Sequence, residues 1–144
     1  MVAYADTSVL LSLYTADANH AAAVRLVTRI KTALPVTAFQ RHELRNAVRL
    51  QVFRKDMTAQ DRDAVLHTIA ADLDAGFLVD AGLAWSAVFA EAEALSAAHT
   101  ERLGTRGMDI LHVASARAMG TREFLTFDTR QRALAVAAGL KAKP

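Results

Sequence analysis

Two short apolar runs in this chain stop on the same pair of residues. AYADTS places Asp6 and Thr7 after the first, and FLTFDTR places Asp128 and Thr129 after the second. Two more carboxylates lie in segments of helical periodicity: Glu43 in QRHELRNAVRLQVFRK and Asp109 in MDILHVASARAM. At about 100° per residue, Glu43 falls near Ala47 and Leu50, opposite a stripe of Arg41, Arg45 and Arg49. Asp109 shares a side with Val113 and Ala116, on a helix apolar nearly all round and so expected to be buried. A carboxylate on an apolar face is costly unless a charge meets it. If the four converge on one cleft, they cannot all stay ionised unaided. One like-charged pair 4 Å apart costs about 4 kcal/mol at an effective dielectric of about 20. Several such pairs rival a domain stability of about 5–15 kcal/mol. Either some protonate or a divalent cation binds. An all-oxygen set with no Cys and no clear His cluster favours Mg²⁺ or Mn²⁺. Carboxylate-held ions of that kind suit phosphoryl chemistry, with water as the attacking group.

Each residue also has a plainer reading. Asp6 alone reads first as a helix N-cap, as does Asp128. Asp80, in FLVDAG, is a third strand-end Asp, and at least one of the three should be only a cap. Glu43 at the edge of its face would reach water. Asp109 in a first helical turn is favoured by the helix dipole by about 0.3–1 kcal/mol. His112, one turn on, reads as a packed core histidine rather than a ligand. The hydroxyls of Thr7, Ser8, Thr126 and Thr129 are placed to position water or carboxylates, or to serve turns and caps. Thr129 fits the capping role best. The basic loop from Arg102 to Gly107 either holds phosphate or simply joins two helices.

The elements that must position these residues alternate. Strands are expected at 1–6, 34–37, 77–80 and 123–127, with an edge strand at 139–143. Helices are expected at 18–33, 38–55, 58–75, 83–101, 107–119 and 129–138. Thr58 and Asp61 form a capping-box start, and Gly76 a stop. Strands alternating with helices imply a parallel sheet covered on both faces. In such sheets ligands bind beyond the carboxyl ends of the strands, where Asp6 and Asp128 fall.

The 144 residues suit one domain, 1–144, able to bury a core without staples. A hydrophobic share of 53% with 22% charged residues reads as soluble and globular. The absence of cysteine excludes disulfides, thiolate metal sites and a thiol nucleophile, and suits a reducing cytoplasm. No signal peptide or membrane span is legible, so the cytoplasm is the expected location. The net charge of +2 is too mild to imply nucleic acid by itself. Thirteen of the 17 basic residues are Arg, which suits phosphate contacts, although codon bias gives the same count. HELRN lacks the second His of a zincin, and neither a P-loop nor GxGxxG occurs.

In order along the chain, MVAYADTSVLLSLY, RHELRNA, GMDILHVASA and FLTFDTRQRALAVAAGL resemble the PIN-domain ribonucleases. The chain looks most like the VapC-type toxins of toxin–antitoxin pairs. The resemblance implies a three-layer α/β/α domain with a central, mostly parallel sheet. It implies metal-dependent endoribonuclease activity, with Asp6, Glu43, Asp109 and Asp128 as catalytic and metal-holding residues around Mg²⁺ or Mn²⁺. Thr126 fits the small hydroxyl residue that often precedes the last Asp. Asp80 has no counterpart, which supports its reading as a cap. RNA would be cleaved by water to leave 5′-phosphate and 3′-hydroxyl ends. A homodimer is implied, together with a cognate antitoxin whose Arg enters the acidic cleft. The Arg41, Arg45 and Arg49 stripe is then a candidate RNA-backbone surface, or a solvated helix face.

Other classes fit less well. Receiver domains need a Lys after the last strands, whereas the only lysines are 31, 55, 141 and 143. Haloacid-dehalogenase phosphatases need DxD, and Ser8 stands at the second Asp. The remaining alternatives are a PIN-like nuclease that processes nucleic acid without being a toxin, and a non-enzymatic α/β binding domain whose acids are caps.

Overall fold

The computed structural model describes residues 3–144, and the first two residues of the expected strand 1–6 lie outside it. The chain forms two compact units, one comprising residues through Asp6 with Gly82–Pro144, the other Thr7–Ala81.

The first unit is built on three parallel strands in the order β1 (Ala3–Ala5), β4 (Glu123–Leu125), β5 (Lys141–Lys143). Tyr4 lies opposite Phe124, and their rings stack at 5.4 Å. The helices of this unit are α5 (Trp85–Leu103), α6 (Gly107–Ala118) and α7 (Thr129–Ala137). Val88, Leu95, Val113, Ala114, Leu134 and Ala135 from these helices join Tyr4 and Phe124 in one apolar cluster. Seven of the twelve residues of α6 are buried, as its all-round apolar sequence requires. Glycine supplies the left-handed turn ending α5, with Gly104 at φ 65°.

The second unit pairs β2 (Leu34–Val36) with β3 (Leu78–Asp80), also parallel. Around them run α1 (Thr7–Tyr14), α2 (His20–Thr28), α3 (Ala38–Phe53) and α4 (Ala59–Asp74). Helix α1 packs on α2 and α3, burying Val9 and Leu10. Helix α3 starts on a full capping box of Thr37 and Gln40 and buries Leu44 and Val48. Thr58 caps α4 by accepting from the Asp61 N–H at 3.1 Å, and Gly76, at φ 75°, follows its end.

Two expectations are corrected here. Helix α1 was not foreseen, because TSVLLSLY reads as an apolar run without helical contrast. Helix α2 ends at Thr28 rather than residue 33, since Leu34 must enter the sheet, where its N–H meets the Phe77 carbonyl at 2.9 Å. No described helix is long and apolar enough to cross a membrane.

Candidate active site

Parallel register brings the two Asp-Thr endings together. Ala5 lies opposite Leu125, so Asp6 follows one strand where Thr126 follows the other. The Asp6 N–H continues the ladder to the Leu125 carbonyl at 3.0 Å. The Asp6 residue is 1% exposed, and the fully buried Thr126 hydroxyl donates to its Oδ2 at 2.5 Å. The Thr126 Oγ1 in turn accepts from the Asp128 N–H at 2.9 Å. A hydroxyl has one proton and two lone pairs, so Thr126 joins the two strand ends with correct polarity.

Asp128 is both a cap and a site residue. Its Oδ1 accepts from the N–H groups of Arg130 at 2.8 Å and Gln131 at 3.0 Å, which starts α7. Its Oδ2 faces the Arg106 Nη2 at 3.8 Å.

Asp109 stands in the first turn of α6 and is buried. The Arg106 guanidinium holds it through Nε to Oδ2 at 3.0 Å and Nη2 to Oδ1 at 3.3 Å. The Arg106 backbone N–H is a third donor to the carboxylate, reaching Oδ2 at 3.3 Å. The Asp109 hydrogen bond and charge raise the Arg106 pKa above its ordinary value, and Asp128 adds to the effect. Sequence reading left Arg106 in a loop of open purpose. The missed signal was its spacing, since N-cap and N3 residues of a helix meet.

A cleft of 460 Å³ opens here, lined by Arg106, Phe127, Asp128, Thr129 and Arg130. Thr129 is the first residue of α7 and lines one side of the cleft; the capping role expected of it falls to Asp128.

Glu43, on α3 of the other unit, accepts from the Thr7 hydroxyl at 2.5 Å. It is half-buried, on the same helix as the buried Leu44 and Val48. A hydroxyl thus meets the carboxylate that the Arg stripe turns away from. Arg41 leaves that stripe to pair with Asp80 at 3.4 Å. Asp80 ends β3 well before α5 begins at Trp85, so its expected capping role is corrected: it is the partner of Arg41. His112 packs in the core with its Nδ1 2.8 Å from the Tyr4 hydroxyl, as expected for a core histidine.

Among the described residues, no three His, Asp or Glu side chains are gathered to ligate one ion. The donor chemistry nevertheless suits a hard divalent cation, being carboxylate oxygen supported by hydroxyl. The guanidinium between Asp109 and Asp128 shows that positive charge is accommodated there.

The PIN domain family model matches residues 3–137. The chain belongs to the PIN-domain family. Its class is the three-layer α/β/α fold expected from the sequence, with parallel strand pairing. Among solved structures, VapC20 of Mycobacterium tuberculosis, described as a sarcin-ricin loop cleaving toxin, is similar at TM-score 0.69 and 18% identity. The match covers 99% of each chain. FitAcB from Neisseria gonorrhoeae is similar at TM-score 0.64 and 19% identity, over 100% of this chain and 97% of the other. No curated protein matches the chain in sequence.

Proposed function

We propose that this PIN domain is a metal-dependent endoribonuclease and the toxin of a toxin–antitoxin pair. The observation that carries the reading is the Thr126 link between Asp6 and Asp128 at adjoining strand ends, with Arg106 joining Asp128 to Asp109. Three acids from distant parts of the chain are thereby tied into one network in a member of a nuclease family. Similarity in fold to a sarcin-ricin loop cleaving toxin supports the toxin assignment.

Asp6, Asp109, Asp128 and Glu43 are the proposed catalytic and metal-holding residues, with Mg²⁺ or Mn²⁺ as the ion. Such an ion supplies a Lewis acid for the scissile phosphate and lowers the pKa of an attacking water. The protein's own part is to hold the carboxylates. Thr126 fixes Asp6 by donating to its Oδ2. The α7 cap fixes Asp128 through Oδ1 and leaves Oδ2 facing the cleft side, toward Arg106. Thr7 fixes Glu43 through Oε1. Carboxylates held in this way would fix the place of an ion that stabilises charge developing on the phosphate. The products are a 5′-phosphate and a 3′-hydroxyl. The partners are RNA, a second copy in a homodimer, and an antitoxin that masks the acids with an Arg, in the cytoplasm.

The test is cleavage of total cellular RNA by partner-free protein in Mg²⁺, in Mn²⁺ and in EDTA, beside Asp6→Asn. Discrete 5′-phosphate fragments that need both metal and Asp6 are the expected result. Folded, partner-free protein that cleaves under none of these conditions would count against the nuclease reading.

A further inference from the structure

Arg106 occupies carboxylate oxygens that the proposed function needs for a cation. Its Nε and Nη2 engage both oxygens of Asp109, and Nη2 faces Asp128. Yet the side chain is 62% exposed, so core packing does not hold it in place. Asp109 has a second support, because the Arg106 backbone N–H also donates to Oδ2 and the residue is anchored in the first turn of α6. The guanidinium is also on the wall of the cleft that Phe127, Thr129 and Arg130 complete. Arg130 is exposed and Phe127 half-buried. Two guanidinium groups suit phosphate, and an aromatic face suits a base. That combination describes a length of single-stranded RNA.

We propose that Arg106 serves two partners in turn. Without a divalent ion it neutralises Asp109 and Asp128. With a divalent ion held by these carboxylates, the guanidinium would be released to a phosphate of RNA lying in the cleft, beside Arg130 and Phe127. The inference rests on the nuclease reading and gives it a built-in order: ion first, then strand. Two cations cannot share the same lone pairs, so ion and guanidinium compete at the carboxylates, while ion and RNA cooperate through the released Arg106.

The experiment measures binding rather than turnover. Mn²⁺ is titrated calorimetrically into the full chain as wild type, Arg106→Ala, Arg106→Lys and Arg130→Ala. A short labelled single-stranded RNA is then titrated with Ca²⁺ or with EDTA. Arg106→Ala should bind Mn²⁺ several-fold more tightly. It should lose about tenfold in RNA affinity with Ca²⁺ and little with EDTA. Arg106→Lys keeps the charge without the fork and should fall between. Arg130→Ala should lose RNA affinity with Mn²⁺ binding unchanged. Unchanged or weaker Mn²⁺ binding in Arg106→Ala would overturn the competition. An RNA loss equal in Ca²⁺ and EDTA would overturn the exchange of partners. Wild type that binds neither Mn²⁺ nor RNA would overturn the nuclease reading as well. That result is distinct from a wild type that binds both and an Arg106→Ala that matches it.

Discussion

The Thr126 hydroxyl donates to Asp6 across 120 residues of sequence at 2.5 Å, with both groups buried. It also receives the Asp128 N–H, so one small side chain sets two strand ends. Thr126→Val keeps the shape and removes both bonds. The Asp6 oxygen and the Asp128 N–H then lose their partner, at about 1–3 kcal/mol each when buried groups are left unsatisfied. Chemical denaturation should show a loss in that range, and RNA cleavage should fall with it. Thr126→Ser should recover most of both. A valine variant as stable and active as wild type would remove Thr126 from the site.

Charge and hydrogen bonding separate at Asp6. Asparagine keeps an oxygen that can accept from Thr126 and gives up the negative charge. Asp6→Asn should therefore retain the fold and melt at or above the wild-type temperature. Its cleavage should drop by about a hundredfold or more, because an anionic oxygen proposed to hold the ion has gone. Full activity in this variant would sink the assignment of Asp6.

The sequence made some of this arrangement legible and hid the rest for physical reasons. Alternation of strands with helices announces parallel pairing, and parallel pairing puts strand ends together. Asp6 and Asp128 could thus be read as neighbours in kind. Their linkage by Thr126 depends on register, and three-residue strands carry too little pattern to reveal it. Helix α1 is hidden because TSVLLSLY lacks the polar–apolar contrast of an amphipathic helix, and it is packing by α2 and α3 that settles it. Asp80 looked like a cap because strand-end Asp usually is one, and its partner Arg41 is far away in sequence.

Tyr14 gives the second unit a pH dependence. Its hydroxyl donates to the Asp72 carboxylate at 2.6 Å. Burial first, then that hydrogen bond and the Asp72 charge, raise the Tyr14 pKa well above its ordinary value. The native state therefore keeps a proton that the unfolded chain releases near pH 10. Stability from this pair is complete below about pH 10 and declines as pH rises beyond it. Tyr14→Phe should cost about 1–3 kcal/mol at neutral pH and show a shallower decline above pH 10. Parallel stability curves for the two proteins across that range would rule out the assignment.

Divalent ions should be visible in stability before any RNA is added. A ligand that binds only the folded chain stabilises it by about 2.7 kcal/mol at a hundredfold excess over its Kd. For a chain of this size that corresponds to a rise of several degrees in melting temperature. Mn²⁺ should raise the wild-type melting temperature, and EDTA should reverse the rise. Asp6→Asn and Asp109→Asn should lose most of the shift, because each removes an anionic oxygen donor. Asp80→Asn should keep it, since that carboxylate serves Arg41. Equal Mn²⁺ shifts in all four proteins would place the ion elsewhere on the surface and leave Asp6 and Asp109 without the role assigned to them.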